Sequence, residues 1–361
     1  MPTPPPGPWP YLLDEARAYP SPHNSQPIVV RVLDAGRAEL LYDLERGLPA
    51  ENFGIPFGQV CAGVYVESLA TVAAPHGWSV TAELRDEGLD FDADAHHQPL
   101  GTVELTRTAI TPQAQADLAA FRRRRTSRRP YRSLPVDPAV LAEAGAIAAA
   151  AGHDFGHTDR RELVDRIVRI NQETLFDDLR NDAVHAEILA WLRTSDRAAE
   201  ATRDGLSART LLLPGPLLGF AMRHRGMWDL PLAGPLLRRI YLNTMRGVRE
   251  LGWLTGPFAS PLDHVEAGRV FLRIWLAFTR AGVYLHPFGT VITNPRSHAA
   301  FTDAAGIDAQ GADTEADGEA DGERMAWMLF RYGHSAEPPR ALRRELSEML
   351  LDRDGVTPWD R

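Results

Sequence analysis

Residues 20–27 read Pro20-Ser21-Pro22-His23-Asn24-Ser25-Gln26-Pro27. Prolines stiffen the segment and preset its geometry. Asn24 and Gln26 each carry a side-chain carbonyl and an amide. Such paired acceptors and donors suit a planar heterocycle with imide-like edges. A polar turn capped by Ser and Asn would use the same residues, so the segment alone leaves both readings open.

Outward from this segment, Ile28–Leu33 and Glu39–Tyr42 are β-rich and bracket the turn Asp34-Ala35-Gly36. Val60, Val64, Leu69 and Val72 stand near helical spacing and predict a helix from Gln59 to His76, closed by Gly77, with a strand at Trp78–Leu84. An alanine-rich helix is expected at Pro138–Ala151 and a long amphipathic one over Asp159–Leu192. Residues 205–260 repeat Pro and Gly among large apolar residues and read as a lid packed on the body. A strongly apolar helix follows at 264–281, then a loop at Gly282–Ile292. Ala309–Gly322 reads as an acidic solvated loop, Met325–Tyr332 as a closing strand, and Pro339–Leu351 as a basic turn leading into a terminal helix. No internal sequence period is visible.

Composition removes whole classes of chemistry. The 39 basic residues are all arginine. Without lysine there is no Schiff base, no P-loop lysine and no kinase lysine, so a phosphate must be held by arginine forks or backbone amides. The one cysteine, Cys61, excludes intrachain disulfides, CxxC pairs and iron–sulfur clusters and is expected to be a buried thiol. A net charge of −9 argues against a nucleic-acid partner. No apolar run approaches the roughly 20 residues of a membrane span, and Met1–Pro10 lacks the pattern of a secretion signal, so a cytoplasmic protein without a membrane partner is expected. His96-His97 and His153-x-x-x-His157 lack a third ligand, and no metal is expected.

Two further segments carry chemistry. Arg124-Arg125-Thr126-Ser127-Arg128-Arg129 concentrates charge that repels itself unless an anion or carboxylates accompany it. Leu285-His286-Pro287-Phe288-Gly289-Thr290 reads as a turn that exposes backbone amides and permits close approach of a flat ligand, though an ordinary helix-to-strand turn would use the same residues.

Together these segments resemble the FMN-dependent nitroreductase family. Residues 20–27 match its Pro-Ser-x-x-Asn-x-Gln-Pro segment at every fixed position. Arg124, Arg125, Thr126 and Arg128 match its Arg-Arg-Ser-x-Arg segment, with Thr126 in place of the serine. The resemblance implies that Pro20, Ser21, Asn24, Gln26, Arg124, Arg125, Thr126 and Arg128 bind FMN. Pro287, Phe288 and Gly289 resemble the loop whose backbone amide faces flavin N5, and Arg340 and Arg343 resemble the basic residues that close over the phosphate.

The order of the segments is unusual. The Asn-Gln segment lies in the first half and every other match in the second; Ala151–Phe155, at the second half's equivalent place, does not match. This organisation is similar to that of actinobacterial dormancy-associated nitroreductase-like proteins. It implies an α+β, nitroreductase-type fold of two fused halves forming an intrachain pseudo-dimer, each with a mainly antiparallel sheet flanked by helices. The halves would be residues 1–118, degenerate, and 119–361, carrying most of the site. The expected function is two-electron redox chemistry on a small organic substrate with one FMN per chain and NAD(P)H as a transient reductant. The alternative is a protein that stores FMN under its lid. His23, Tyr284 and His286 are the nearest candidates for proton transfer. The expected state is a monomer or weak homodimer.

Overall fold

In this computed structural model, residues 7–51, 53, 55–229, 233–307 and 324–351 are described. Met1–Pro6 and the acidic segment Ala309–Gly322 lie outside them, as do residues 230–232.

The chain runs through helix Trp9–Ala16, strands β1 (Ile28–Val32) and β2 (Arg37–Asp43), helix Phe57–Ala73, and strands β3 (Trp78–Leu84) and β4 (His97–Arg107). It then repeats that order with helix Pro138–Ala149 and strand β5 (Asp154–Thr158). The short parallel pair β6 (Leu192–Arg193) and β7 (Leu206–Ser207) intervenes before strand β8 (Glu250–Pro257), helix Pro261–Arg280, strand β9 (Tyr284–Pro287) and strand β10 (Arg324–Gly333). The first sheet has the order β1-β2-β4-β3 and the second β5-β8-β10-β9, with every neighbouring pair antiparallel. The final strand, β11 (Leu350–Leu351), crosses back to pair in parallel with β1 at the edge of the first sheet. The protein is thus α+β, with two antiparallel-dominated sheets flanked by helices.

The two long helices meet at its centre. Phe57–Ala73 is buried almost all round, as expected of a helix without a polar face. It is long and apolar enough to cross a membrane, and here its surface is covered by protein. Its partner, Pro261–Arg280, opens on a capping box in which Ser260 and Asp263 satisfy each other's amides. Their crossing is reciprocal. A Cβ on Gly63 would stand 1.8 Å from the carbonyl oxygen of Val265, and one on Gly268 would stand 2.0 Å from that of Val60. Val60 and Gly63 therefore do on one helix what Val265 and Gly268 do on the other. The sheets close over the pair into one continuous apolar core.

Several sequence expectations are corrected. The helix expected over 159–192 is two, Arg161–Asp178 and Asp182–Trp191, because the Asn181 side chain accepts from the amides of Ala183 and Val184 and starts a new helix. The lid stops short of 260, because Glu250–Pro257 is a central strand. The loop expected at 282–292 contains β9 and the short helix Gly289–Thr293. Among the described residues no terminal helix follows Pro339; the segment forms a single turn at Leu346–Glu348 and then β11. The boundary at 118 falls inside helix Pro112–Arg123. Strand β4 escaped notice because Pro99 and Gly101 resemble strand breakers. The β2–β4 register shifts between Leu40 and Leu41, and there Gly101 takes a φ of +140°.

Gly63→Ala should lower stability. Alanine gains about 1 kcal/mol of helix propensity, but its Cβ must push the helices apart, and overpacking costs about 1–3 kcal/mol. A denaturant titration showing the variant at or above wild type would mean that the crossing is not fixed by this contact.

Candidate functional site

A cavity of about 480 Å³ lies against the central helix pair, within the usual range for small-molecule sites. One wall comes from Pro20, Ser21 and His23, another from Thr126 and Arg128, and a third from His286, Pro287, Phe288 and Gly289. Its floor is Phe57, Val60, Cys61 and Val64 on one helix and Phe271 and Trp275 on the other. Segments far apart in the chain thus converge on one space. The remaining wall is the cap: Leu206, Leu211, Leu213, Leu217, Leu218, Met222, Trp228 and Tyr241. Cys61 is buried, and burial pushes its thiol up, so it stays protonated and inert.

Asn24 and Gln26 do not line this cavity. Asn24 Nδ2 donates to the carbonyls of Leu342 (3.1 Å) and Gly205 (3.4 Å), and its Oδ1 accepts from Arg343 (2.7 Å). Gln26 Nε2 donates to the carbonyls of Asn24 and Arg203, and its Oε1 accepts from the Arg344 amide at 2.9 Å. Both amides are thus spent on tying residues 20–27 to the cap and the C-terminal segment. What they hold is strained: His23, Asn24 and Gln26 have φ of 47°, 57° and 54°, a region that costs a non-glycine residue of order 1–3 kcal/mol. The strained turn keeps Ser21 and His23 at the cavity wall.

The arginines form two groups. Arg124 and Arg343 reach the same backbone, both donating to the Ala18 carbonyl at 3.1 and 3.2 Å. Arg343 also donates to Tyr19, and Arg340 donates to the Arg122 carbonyl. Burial, then repulsion from Arg343 and Arg340, holds the Arg124 guanidinium well below its usual range; burial lowers Arg343 to about 10. The Nε atoms of Arg124 and Arg343 are buried with no partner. The second group is Arg128 and Arg331. Arg331 is fully buried and donates to His286 Nδ1 (3.2 Å), the Thr244 carbonyl (2.7 Å) and the Ser127 carbonyl (3.1 Å). Burial first, then Arg331, lowers Arg128 to about 10. Among the described residues no carboxylate pairs with any of these five side chains. Arg125 bonds Glu337 and the Pro338 carbonyl, and neither it nor Arg124, Arg340 or Arg343 lines the cavity.

The proton-transfer candidates separate. Burial, then Arg331 and Arg128, holds the His286 imidazole well below its usual range, so it is neutral. Its Nδ1 accepts from Arg331, which leaves Nε2 as the protonated nitrogen. Tyr284 sits opposite Gly333 in the sheet and is not part of the cavity wall. His23 lies 2.9 Å from Glu51, a cavity residue that sequence reasoning missed. Nothing near Glu51 in the sequence marks it; only the fold brings it to His23. Glu51 has buried acidic neighbours. Asp178 accepts from Asn294 Nδ2 at 2.7 Å while its other oxygen is unpartnered. Burial pushes its carboxyl up to about 6, against the lowering effect of that bond. No group of three or more metal-ligating side chains occurs among the described residues.

The opposite face of the helix pair is filled. If the reciprocal contact is used to exchange the helices, Cys61 and Val64 take the places of Glu266 and Arg269. There Glu67 and Glu266 form ion pairs with Arg269 and Arg273 at 2.9–3.3 Å. The strand start equivalent to residue 28 is Asp154, and the adjacent His153 accepts from Trp327 Nε1 at 3.2 Å, with Phe258 stacked on that indole. Ion pairs and rings thus stand at the positions equivalent to the cavity's lining.

No protein-family model matches the chain, and no curated protein matches it. Among solved structures it is similar to the FMN and NADPH-dependent nitroreductase NfnB from Sphigopyxis sp. strain HMH, with 15% identity over 64% of this chain and 96% of that one and a TM-score of 0.36. It is similar to the FMN-dependent nitroreductase NfnB from Mycobacterium smegmatis in complex with NADPH, with 16% identity over 65% and 97% and a TM-score of 0.37. A third likeness is to oxidised iodotyrosine deiodinase bound to FMN and 3-iodo-L-tyrosine, with 12% identity over 63% and 95% and a TM-score of 0.36. These overlaps are too loose to carry a conclusion by themselves.

The raised Asp178 carboxyl has a pH signature. The folded state holds this proton up to about pH 6, whereas an unfolded aspartate releases it near 3.9. The stabilisation is complete below the unfolded value and is lost as pH rises through about 6. Asp178→Asn should therefore gain stability relative to wild type as pH climbs from about 4 to 6, by at most about 3 kcal/mol. Parallel stability–pH curves for the two proteins would contradict this.

Proposed function

We propose that this chain is a cytoplasmic flavoprotein of nitroreductase type, built from two fused halves, that binds one FMN and carries out two-electron redox chemistry on a small organic substrate. The observation that carries this is a cavity walled by Arg128 and by His286, to which Arg331 donates, with a second unbalanced cation group adjoining its floor, where the Arg124 guanidinium lies 4.6 Å from the centre of the Trp275 ring. Arg124, buried, and Arg343, half-buried, repel each other and have unspent Nε donors; with the exposed Arg340 they would form a site for a dianion. Arg128 and Arg331 put a second positive charge beside the His286–Gly289 loop, where an electron-rich heterocycle is stabilised. A ligand with a phosphate at one end and a flat ring at the other satisfies both, and FMN has that form.

When bound, FMN supplies two-electron exchange at its ring. The chain's own part is binding and exclusion. Ser21 and Thr126 offer hydroxyls along the wall between the cation groups. Gly289 would present its backbone amide to the ring, as the family resemblance implies. Neutral His286 offers an Nε2–H and no charge. The cap leucines exclude water and leave an apolar space for a substrate or for the nicotinamide of a transient NAD(P)H. The apolar cap also favours the storage reading, in which the ring is covered and turnover is small. Anaerobic NADPH distinguishes the two: bleaching of the flavin absorbance supports the oxidoreductase, and an unchanged spectrum supports storage.

Heat-released flavin counted against protein should give one FMN per chain, since the opposite face is filled by ion pairs and rings; two per chain would overturn the fused-half reading. Arg124→Ala or Arg343→Ala should weaken FMN by roughly ten- to hundredfold, as charge-assisted bonds contribute about 1.5–3 kcal/mol each. Riboflavin, which lacks the phosphate, should bind almost as before. An equal loss for both ligands would remove these arginines from the phosphate site.

A further inference from the structure

The cap also has an outer face, which shares Leu217 with the cavity wall. Residues 205–249 hold seven arginines and a single acidic residue, Asp229, in a chain whose net charge is −9. Arg225 is paired with Asp182 at 2.6 Å, and Arg249 lies 3.9 Å from Asp159. Arg223 and Arg239 are exposed and have no carboxylate partner among the described residues. Large apolar side chains stand beside them. Helix Gly215–Arg223 exposes 46% of Leu217 and 46% of Phe220, and helix Ala233–Thr244 exposes 58% of Leu236. The spacing places Leu217, Phe220 and Arg223 on one helical face, and Leu236 and Arg239 on another. Each helix is apolar and cationic outside, while its inner face lines the cavity through Leu218, Met222, Ile240 and Tyr241.

We propose that the outer face of the cap docks on a membrane surface rich in anionic phospholipid. Leucine and phenylalanine would enter the headgroup–acyl boundary, and the guanidiniums would fork onto phosphodiesters. This is surface docking, not spanning: the cap helices are too short to cross a bilayer. A nucleic acid would be gripped by stacked aromatic platforms among the cations, whereas the exposed apolar residues here are mostly aliphatic. Leu217 is half-exposed and also lines the cavity, so the cavity opens where the cap would meet lipid. A lipophilic substrate could enter there without crossing water. The proposal uses the outer face alone and stands whether or not the cavity holds FMN.

The test is co-sedimentation of the full chain with vesicles of phosphatidylcholine mixed with phosphatidylglycerol, and with phosphatidylcholine alone, at low and high salt. The chain should sediment with the anionic vesicles, be released by salt, and stay in solution with the neutral ones. Arg223→Ala and Arg239→Ala should each weaken binding about fivefold, and together about twenty-fivefold. Phe220→Asp, with an unchanged circular dichroism spectrum, should weaken it as strongly as the double variant. No sedimentation with anionic vesicles at low salt overturns the proposal. So does unchanged binding by the folded double arginine variant, or tighter binding to a single-stranded oligonucleotide than to the vesicles.

Discussion

Two helices touch backbone to backbone because each has a glycine where the other offers a carbonyl. Gly63 against Val265 and Gly268 against Val60 set the separation of the central pair, and the separation sets everything packed around it. On one face the helices present Cys61, Val64, Phe271 and Trp275, small and flat enough to leave a cavity. On the other they present Glu67, Glu266, Arg269 and Arg273, which close on one another. The two sheets share a strand order, yet the two faces of the helix pair are chemically opposite. A shared strand order therefore surrounds a helix pair whose two faces are asymmetric in side chains.

The second organising constraint is electrostatic. With no lysine, every cation is a guanidinium, which keeps its charge when buried. Arg331 can be wholly enclosed and still donate to two carbonyls and an imidazole. That enclosure fixes the His286 tautomer and keeps the ring neutral. Arg124 and Arg343 sit beside each other with donors unspent, a cost that the surrounding core must offset.

Much of this was legible in the sequence. The hairpin around Asp34, the apolar central helices and the closing strand follow from periodicity, and the motifs around Ser21, Thr126, Arg128 and Pro287 do line one cavity. What was missed depended on distance. Asn24 and Gln26 look the same in a sequence whether they face a ligand or the backbone of Leu342 and Arg203; only the folded partners decide. Glu51 meets His23 through a loop with no periodic signal. The end of the chain reads as a helix by composition, but its last described residues find a free sheet edge at β1, and edge pairing overrides local preference.

That returning segment also sets an order of events. Residues 335–351 leave the second sheet, pass Arg340 and Arg343, give carbonyl and amide partners to Asn24 and Gln26, and finish as the edge strand of the first sheet. They follow every other described element, so on the ribosome they are the last of these to emerge. Until they dock, the turn at 20–27 lacks the bonds that hold its strained backbone, and Arg340 and Arg343 are not yet beside Arg124. A nascent chain can therefore pair β1 to β10 and form the helix crossing before that turn is secured. The final strand acts as the latch of the turn.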